Sequence, residues 1–388
     1  MQEFLPTNYQ RLHTQKGSFK VKSKGEPIMS QIKTAIVVGG SLAGMMMALA
    51  LAKTGIKVTV LERHSASERR GAVLSVHSGA INQSALAHEL RAIAAGDGRG
   101  IESWRMIHQR LQNMAHNTPN IDVHFNEVVQ EVGENGGHAY AQTNQGNYQA
   151  EILVGADGGS SLVRKYVNPQ QPNAIFAGYQ LWVAIVEEEL VPKNLWPGKR
   201  YSDFQEFDGA DDDFLFAMIV PGMDGSREVG HRQIGLAWYD NGSNDVLYQS
   251  GAVQNNHVLH TLNTRSIPQE IRMQLIGRAQ KYFPPLFAKA IQVAIEREYL
   301  VATPISEYVA SKMSQGRVTI VGDAAHALTP MTGKGFNSSL DDAATLGGLI
   351  SKYDDANQLL QKFEDLRLPI DTEIVRSGQS FSQSYGRE

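Results

Sequence analysis

From Thr34 to Glu62 the chain reads strand, tight glycine turn, helix, strand, and this unit constrains the fold more than any other stretch. Thr34-Ala-Ile-Val-Val-Gly39 is a short β-rich apolar run closed by glycine, the pattern of a buried parallel strand. Gly40-Ser-Leu-Ala-Gly44 leads into Met45-Met-Met-Ala-Leu-Ala-Leu-Ala-Lys53, a strong helix former, and Gly55 stands just past its end, where a left-handed residue is wanted. Lys57-Val-Thr-Val-Leu61 returns as a second strand. Strand, helix and strand in this order make a βαβ unit and predict an α/β fold.

The turn, Gly39-Gly40-Ser41-Leu42-Ala43-Gly44, is a near match to the dinucleotide fingerprint, which has glycine first, third and sixth. Gly39 makes the turn and Gly44 lets the helix close on the strand. The third position is Ser41, which is small and carries a hydroxyl able to donate to phosphate. The helix start offers free N–H groups to an anion. Glu62 ends the second strand where a carboxylate meets ribose hydroxyls, which favours FAD or NAD over NADP. Arg63, beside it, is of the type that serves a 2′-phosphate and blurs that preference.

Composition narrows the classes. The 388 residues allow two or three domains, and 42% apolar with 20% charged residues is ordinary globular composition. With 36 basic against 40 acidic residues the net charge is −4, which gives no electrostatic reason for a nucleic-acid or anionic-membrane partner. The absence of cysteine excludes disulfides, iron–sulfur clusters, thiolate zinc and a cysteine nucleophile. The longest apolar stretch, Leu42 to Ala52, is short of the roughly 20 residues of a membrane span. Residues 1–29 are polar with no signal-peptide core and are expected to be a disordered extension of a cytoplasmic protein.

Two further motifs end strands. Leu153-Val-Gly-Ala-Asp157-Gly-Gly-Ser-Ser161-Leu-Val-Arg164, read alone, is a βα turn in which Ser161 caps a helix carrying Arg164. Ile320-Val-Gly322-Asp323-Ala-Ala-His326 puts Asp323 at the carboxyl edge of a sheet, where α/β folds bind ligands. Pro330 to Gly335 then opens a long helix, a second positive dipole end. His326 reads first as a hydrogen-bonded structural histidine. Between these motifs, Ile121–Val132, Gly137–Thr143 and Tyr148–Val154 predict an antiparallel meander. Phe176–Glu188, Tyr201–Phe207, Phe214–Val220 and Arg232–Tyr239 predict a larger mixed sheet, and Pro268–Phe283 and Ala356 to about Ser382 predict helices.

In this order the three motifs resemble the class A flavoprotein monooxygenases of the p-hydroxybenzoate hydroxylase fold, over about Lys33 to Ser380. Ser103-Trp104-Arg105-Met-Ile107-His-Gln-Arg-Leu111, Ala177-Gly-Tyr179-Gln-Leu-Trp182 and the Val220–Gly225 loop agree, and look most like the subgroup around 2,6-dihydroxypyridine 3-monooxygenase. The resemblance implies an α/β fold: a Rossmann-like FAD domain (30–170 and 301–388, the latter with C-terminal helices) and an inserted mixed-sheet substrate domain (171–300). It implies FAD held by Gly39, Ser41, Leu42, Ala43, Gly44 and Glu62, with Arg63 or Arg70 at the pyrophosphate and Val128 meeting adenine through its backbone. Asp157 and Arg164 fall on a turn shared by FAD and the nicotinamide cofactor. Asp323 would bind the ribitol, Gly333, Lys334, Gly335, Phe336 and Asn337 the pyrimidine edge, and Pro330 would stand near the oxygen chemistry.

Three features depart from the family pattern. Trp104, with Arg105 beside it, stands where many members carry arginine. The segment between Gly71–Leu74 and Ser103 is short, and Lys334 sits where a neutral residue is commoner. The implied reaction uses NADH or NADPH as transient co-substrate and O₂ to hydroxylate an electron-rich aromatic or N-heteroaromatic small molecule through a flavin C4a-hydroperoxide. Tyr179, Met218, His231 and Trp238 are candidates to line the substrate pocket, with Pro330, His231 and Tyr179 nearest to catalysis. Each sheet residue among them also reads as ordinary core packing. No metal is called for, and a monomer or homodimer is expected. A polycyclic substrate, such as a tetracycline or polyketide, and a non-hydroxylating flavoprotein or flavin-binding sensor are the alternatives.

Overall fold

A computed structural model describes residues 32–65, 72–77, 82–96, 101–199 and 204–387. The extension 1–29, Arg70 and the start of the Tyr201–Phe207 run lie outside the described residues.

The first βαβ unit forms as the residue pattern dictates. Strand Thr34–Val38 is flanked by Lys57–Glu62 and Ile152–Gly155, both parallel to it. The six-stranded sheet runs Ser314–Gln315, Val318–Ile320, Ile152–Gly155, Thr34–Val38, Lys57–Glu62, Ile121–Phe125, parallel except for the first pair. Its register decides where the chemistry goes: Val38 lies opposite both Leu61 and Gly155, and Gly155 opposite Ile320. Four strands therefore end in line, and the residues that follow them emerge along one edge.

The meander differs from its sequence reading. Only Val129–Asn135, His138–Thr143 and Asn147–Ala150 form an antiparallel sheet. Ile121–Phe125 and Ile152–Gly155, the two ends of the run, join the parallel sheet instead. Asn126 (φ 60°) breaks the chain after Phe125 and redirects it. Ile152, Leu153 and Val154 are fully buried, the pattern of a central parallel strand rather than a half-exposed one.

The second sheet is built on Ile175–Glu187, paired antiparallel with Gln233–Asp240 on one side and Val301–Glu307 on the other; Phe214–Val220 and Gln205–Asp208 continue it outward. Alternation splits its side chains. Leu215, Ala217, Ile219 and Trp238 face a core shared with helices Gln269–Tyr282 and Pro285–Glu296. Tyr179, Leu181, Tyr239 and Ile305 face the other way and pack with Phe214, Phe216, Phe381 and Tyr385.

The last two of those aromatics come from the C-terminal helix Ala356–Tyr385. Its first turns, with Ala356, Leu359, Leu360 and Phe363, are buried against the parallel-sheet core. Its last turn lies on the second sheet, where the Asn241 side-chain amide donates to the Tyr385 carbonyl (2.7 Å) and the Arg387 N–H to the Gly178 carbonyl (2.8 Å). One helix thus ties the two sheets together. Among the described residues no helix is long and apolar enough to cross a membrane.

Candidate functional site

The common edge of the parallel sheet gathers the sequence motifs. The Gly39 N–H donates to the Leu61 carbonyl (2.8 Å) and the Ala156 N–H to the Val38 carbonyl (2.8 Å), so the three turns are laced together. Gly39 has φ +103°, and a Cβ there would sit 2.4 Å from the Ala156 carbonyl oxygen; at Gly44 it would sit 1.8 Å from the Gly39 oxygen. Only glycine lets the helix close on the strand this tightly. A Gly44→Ala protein is expected to lose about 3 kcal/mol of stability and its bound cofactor, measured by urea midpoint and by the visible spectrum after purification.

Glu62 is buried, and its carboxylate faces the turn. Oε2 accepts from the Gly40 N–H (2.7 Å) and Oε1 from the His64 N–H (2.8 Å). The Ser41 hydroxyl does not cap the following helix. The first intrahelical bond runs from the Met45 N–H to the Ser41 carbonyl (2.9 Å), so the N–H groups of Leu42, Ala43 and Gly44 have no acceptor inside the helix. The turn is a set of aligned donors next to a carboxylate.

Asp323 emerges one strand further along, behind Gly322 (φ +59°). Its side chain is open to solvent yet ringed by protein, and forms no hydrogen bond or ion pair with other described residues. Desolvation pushes its pKa up, with His326 and Arg164 pulling the other way. A carboxylate kept partly dry and left without a protein partner is a poor structural element and a good ligand for sugar-like hydroxyls. Past it, Thr329–Gly333 makes one 3₁₀ turn that ends with Gly333 in the left-handed region, and helix Gly335–Ile350 starts with no side-chain cap. A second helix N-terminus with free N–H groups thus follows Asp323 in the chain.

A family model described as "FAD binding domain" matches residues 32–92 and 103–377. The chain belongs to this FAD-binding family. Its relatives include the 2,6-dihydroxypyridine 3-monooxygenase of Paenarthrobacter nicotinovorans, 25% identical over 57% of this chain and 53% of that protein, so that alignment spans about half of the relative. The 3-hydroxybenzoate 6-hydroxylase of Klebsiella oxytoca is 23% identical over 92% of this chain and 90% of its own. The solved 2,6-dihydroxypyridine-3-hydroxylase of Arthrobacter nicotinovorans superposes with a TM-score of 0.70 at 18% identity, covering 94% of this chain and 95% of that one, which establishes the p-hydroxybenzoate hydroxylase-like fold. The relatives are FAD-dependent hydroxylases and monooxygenases, and this chain is an oxidoreductase of that kind with FAD as its cofactor.

The residues present fit FAD. The donor-lined turn with Glu62 suits a pyrophosphate next to a ribose, and the unpartnered Asp323 suits the ribitol hydroxyls. The neighbourhood of the turn also shows a feature that sequence reasoning missed. Trp104 stacks on His108 (4.6 Å between centroids, 11° between planes), and the His108 Nε2–H donates to the Gly40 carbonyl at 2.7 Å. A stacked Trp–His pair thus braces the loop from helix Trp104–His116. The i, i+4 spacing of Trp104 and His108 was the available signal.

Other predicted residues sit as follows. Arg105 is half-buried, and Arg63 is exposed with its Nε–H donating to His64. Val128 is exposed, with its N–H and carbonyl both bonded to Asn144. Asp157 caps the helix after it, accepting from the Ser161 hydroxyl and the Leu162 and Val163 N–H groups. Arg164 is fully buried and stacks on Tyr308, with one guanidinium nitrogen unbonded among the described residues. Asn337 is fully buried, accepting from Arg91 and donating to the Val76 carbonyl, and Phe336 is in the core. Gly333, Lys334 and Gly335 form the loop itself, and Pro330 is exposed at its start.

The substrate-side candidates separate. By alternation Met218 shares its face with Phe214, Phe216 and Tyr239, whereas Trp238 points to the opposite core, against Phe283 and the Arg278 guanidinium. His231 is exposed on the loop after Glu228. Tyr179 is fully buried, its hydroxyl 2.6 Å from Thr329 Oγ1. A cleft of about 570 Å³ between helix Trp104–His116 and the Pro221–Arg227 loop, lined by Met106, Arg110, Met223 and Arg227, shares none of these residues.

Proposed function

We propose that this chain hydroxylates an electron-rich aromatic or N-heteroaromatic small molecule, with O₂ as oxidant and NADH or NADPH as a passing reductant. The observation that carries the reading is the placement of Glu62, Ser41–Gly44 and Asp323 on one sheet edge, joined through Thr329 and the C-terminal helix to an aromatic layer on the second sheet. FAD, when bound, supplies electron transfer from the nicotinamide and activation of oxygen. The chain's own groups do the rest. Glu62 and Asp323 hold the sugar-like hydroxyls. The two uncapped helix starts place positive potential against negative charge. Phe214, Phe216 and Phe381, half-buried over Tyr239 and Tyr385, offer planar apolar surface to a planar ring and keep water away from it. A cytoplasmic location and a monomeric or homodimeric state accompany this reading.

The purified protein is expected to show the visible bands of bound flavin and to oxidise NADH or NADPH faster when its aromatic substrate is added, consuming O₂ as it does so. A panel of hydroxypyridines, phenols, hydroxybenzoates and fused-ring compounds, read by nicotinamide absorbance and an oxygen electrode, tests this. A flavin-loaded protein that no aromatic compound stimulates would sink the reading.

A further inference from the structure

We propose that Tyr179 is a positioning residue which, through Thr329, sets the Pro330–Gly333 loop that leads into helix Gly335–Ile350. The inference rests on the functional reading above, in which that loop borders the flavin.

The Tyr179 hydroxyl and Thr329 Oγ1 are 2.6 Å apart, 150 positions apart in the chain, and both residues are fully buried. They join a strand of the second sheet to the segment that follows Asp323 and His326. The surroundings are aromatic and aliphatic: Tyr239 stacks on Tyr179 at 6.0 Å, Phe381 and Tyr385 meet its ring edge-on at 5.9 and 5.1 Å, and Leu181 and Ile305 complete the cluster. Two hydroxyls buried among such groups are held to each other, because leaving either unpaired is costly.

From Thr329 the bonds run straight into the loop. Its Oγ1 accepts from the Met331 N–H (3.3 Å), its carbonyl accepts from the Thr332 hydroxyl (3.2 Å), and that hydroxyl accepts from the Lys334 N–H (3.2 Å). The C-terminal helix leaves room for this ladder at Gly378, where a Cβ would come 2.6 Å from Thr329 Cγ2 and 2.9 Å from Thr332 Cγ2. On the far side of Tyr179 the Ser382 hydroxyl faces the phenol and donates to Glu307 Oε1 at 2.7 Å. The phenol is therefore fixed from both sides, and it fixes the loop. Burial pushes its pKa up to about 12, so it stays neutral at working pH.

The consequence is in how reducing equivalents are used. In coupled turnover NADH, a proton, O₂ and the substrate give NAD⁺, water and hydroxylated product. In uncoupled turnover NADH, a proton and O₂ give NAD⁺ and H₂O₂. A loop released by about 1 Å costs the oriented reaction on the order of tenfold to a hundredfold, and the equivalents leave as peroxide.

The test compares the full-length, FAD-loaded parent with Tyr179→Phe, Thr329→Val, Thr329→Ser and the Tyr179→Phe/Thr329→Val double variant. Hydrogen exchange in segments covering 329–337 is expected to quicken about tenfold in Tyr179→Phe and Thr329→Val, and to stay near the parent in Thr329→Ser. The double variant should be no faster than Thr329→Val alone, because that substitution already removes the bond to Tyr179 together with the acceptor of the Met331 N–H. With 2,6-dihydroxypyridine as the turnover probe, the same two single variants should shift from product to peroxide with KM little changed, and equally from about pH 6 to about pH 9, where an acid–base role would slope. Parent-like exchange in Tyr179→Phe, or a double variant equal to the product of the singles, overturns the proposal. A parent that takes up no FAD overturns the functional reading instead, while the exchange comparison still decides whether the bond sets the loop.

Discussion

Replacing Glu62 by alanine is expected to yield a protein that purifies without flavin. The buried carboxylate is the acceptor for the Gly40 and His64 N–H groups, at 2.7 and 2.8 Å. Its loss unbraces the glycine turn and removes the group we propose to meet the ribose. Hydrogen bonds to a charged acceptor are worth roughly 1.5–3 kcal/mol each, so affinity for FAD should fall by at least about a hundredfold. Flavin per polypeptide after purification, and quenching of free flavin fluorescence on titration, measure it. Asp323→Asn separates affinity from stability. Among the described residues the Asp323 side chain has no hydrogen bond to lose, and desolvation already disfavours its charge. The apoprotein should therefore be at least as stable as the parent while its flavin binding weakens. An Asp323→Asn protein that binds FAD like the parent would remove Asp323 from the site.

The second large effect concerns stability. Behind Gly322 lies a buried charge cluster. The Arg367 guanidinium donates to Asp342 Oδ1 (2.8 Å) and to Asp371, and His326 Nε2–H donates to Asp342 Oδ2 (2.8 Å), which also accepts from the Gly322 N–H (2.9 Å). Ser338 donates to Asp371 at 2.8 Å. All four charged residues are buried. Arg367→Met should cost about 3–5 kcal/mol, because it leaves two buried carboxylates short of a cation; urea unfolding gives the number.

The cluster also gives a pH dependence of known sign. Burial opposes a charged His326, but Asp371 and Asp342 outweigh it and hold the ring's pKa up at about 9. Its ordinary value is 6.5. A folded pKa above the unfolded one contributes stability that is complete below about pH 6.5 and is lost as pH rises through about 9. Asp371 is pushed up to about 7, by burial first and then by Asp342, and adds a cost that grows from about pH 4 to about pH 7. Both slopes have one sign, so the urea midpoint should fall from pH 6 towards pH 9. Burial also opposes ionised Asp342, but His326 and Arg367 hold its carboxyl down at about 2, and its contribution is lost as pH falls from about 4 towards 2. A midpoint that rises between neutral and alkaline pH would refute this account.

The cofactor-binding half was legible from residues close together in the chain. The turn at Gly39–Gly44, the strand ending at Glu62 and the strand ending at Gly322-Asp323 each carry their own punctuation, and a parallel sheet aligns such strand ends whatever lies between them. Two readings needed long-range pairing. The ends of the supposed meander went to the parallel sheet, since alternation over a few residues does not say which partner a strand takes. Trp238 and Tyr239 must point to opposite faces, but only the packing of helices Gln269–Tyr282 and Pro285–Glu296 on one of them decides that Tyr239 faces the aromatic layer.

Local sequence thus determined the FAD-binding family and the geometry of the glycine turn with the carboxylate beside it, because backbone geometry within a βα turn is settled by adjacent residues. Tertiary structure alone decided that His108 braces Gly40, that Asn337 is spent on Arg91, and that Tyr179 reaches Thr329. Each joins residues from separate segments of the chain, and a contact of that kind exists only once the sheets, and the helix that spans them, have packed.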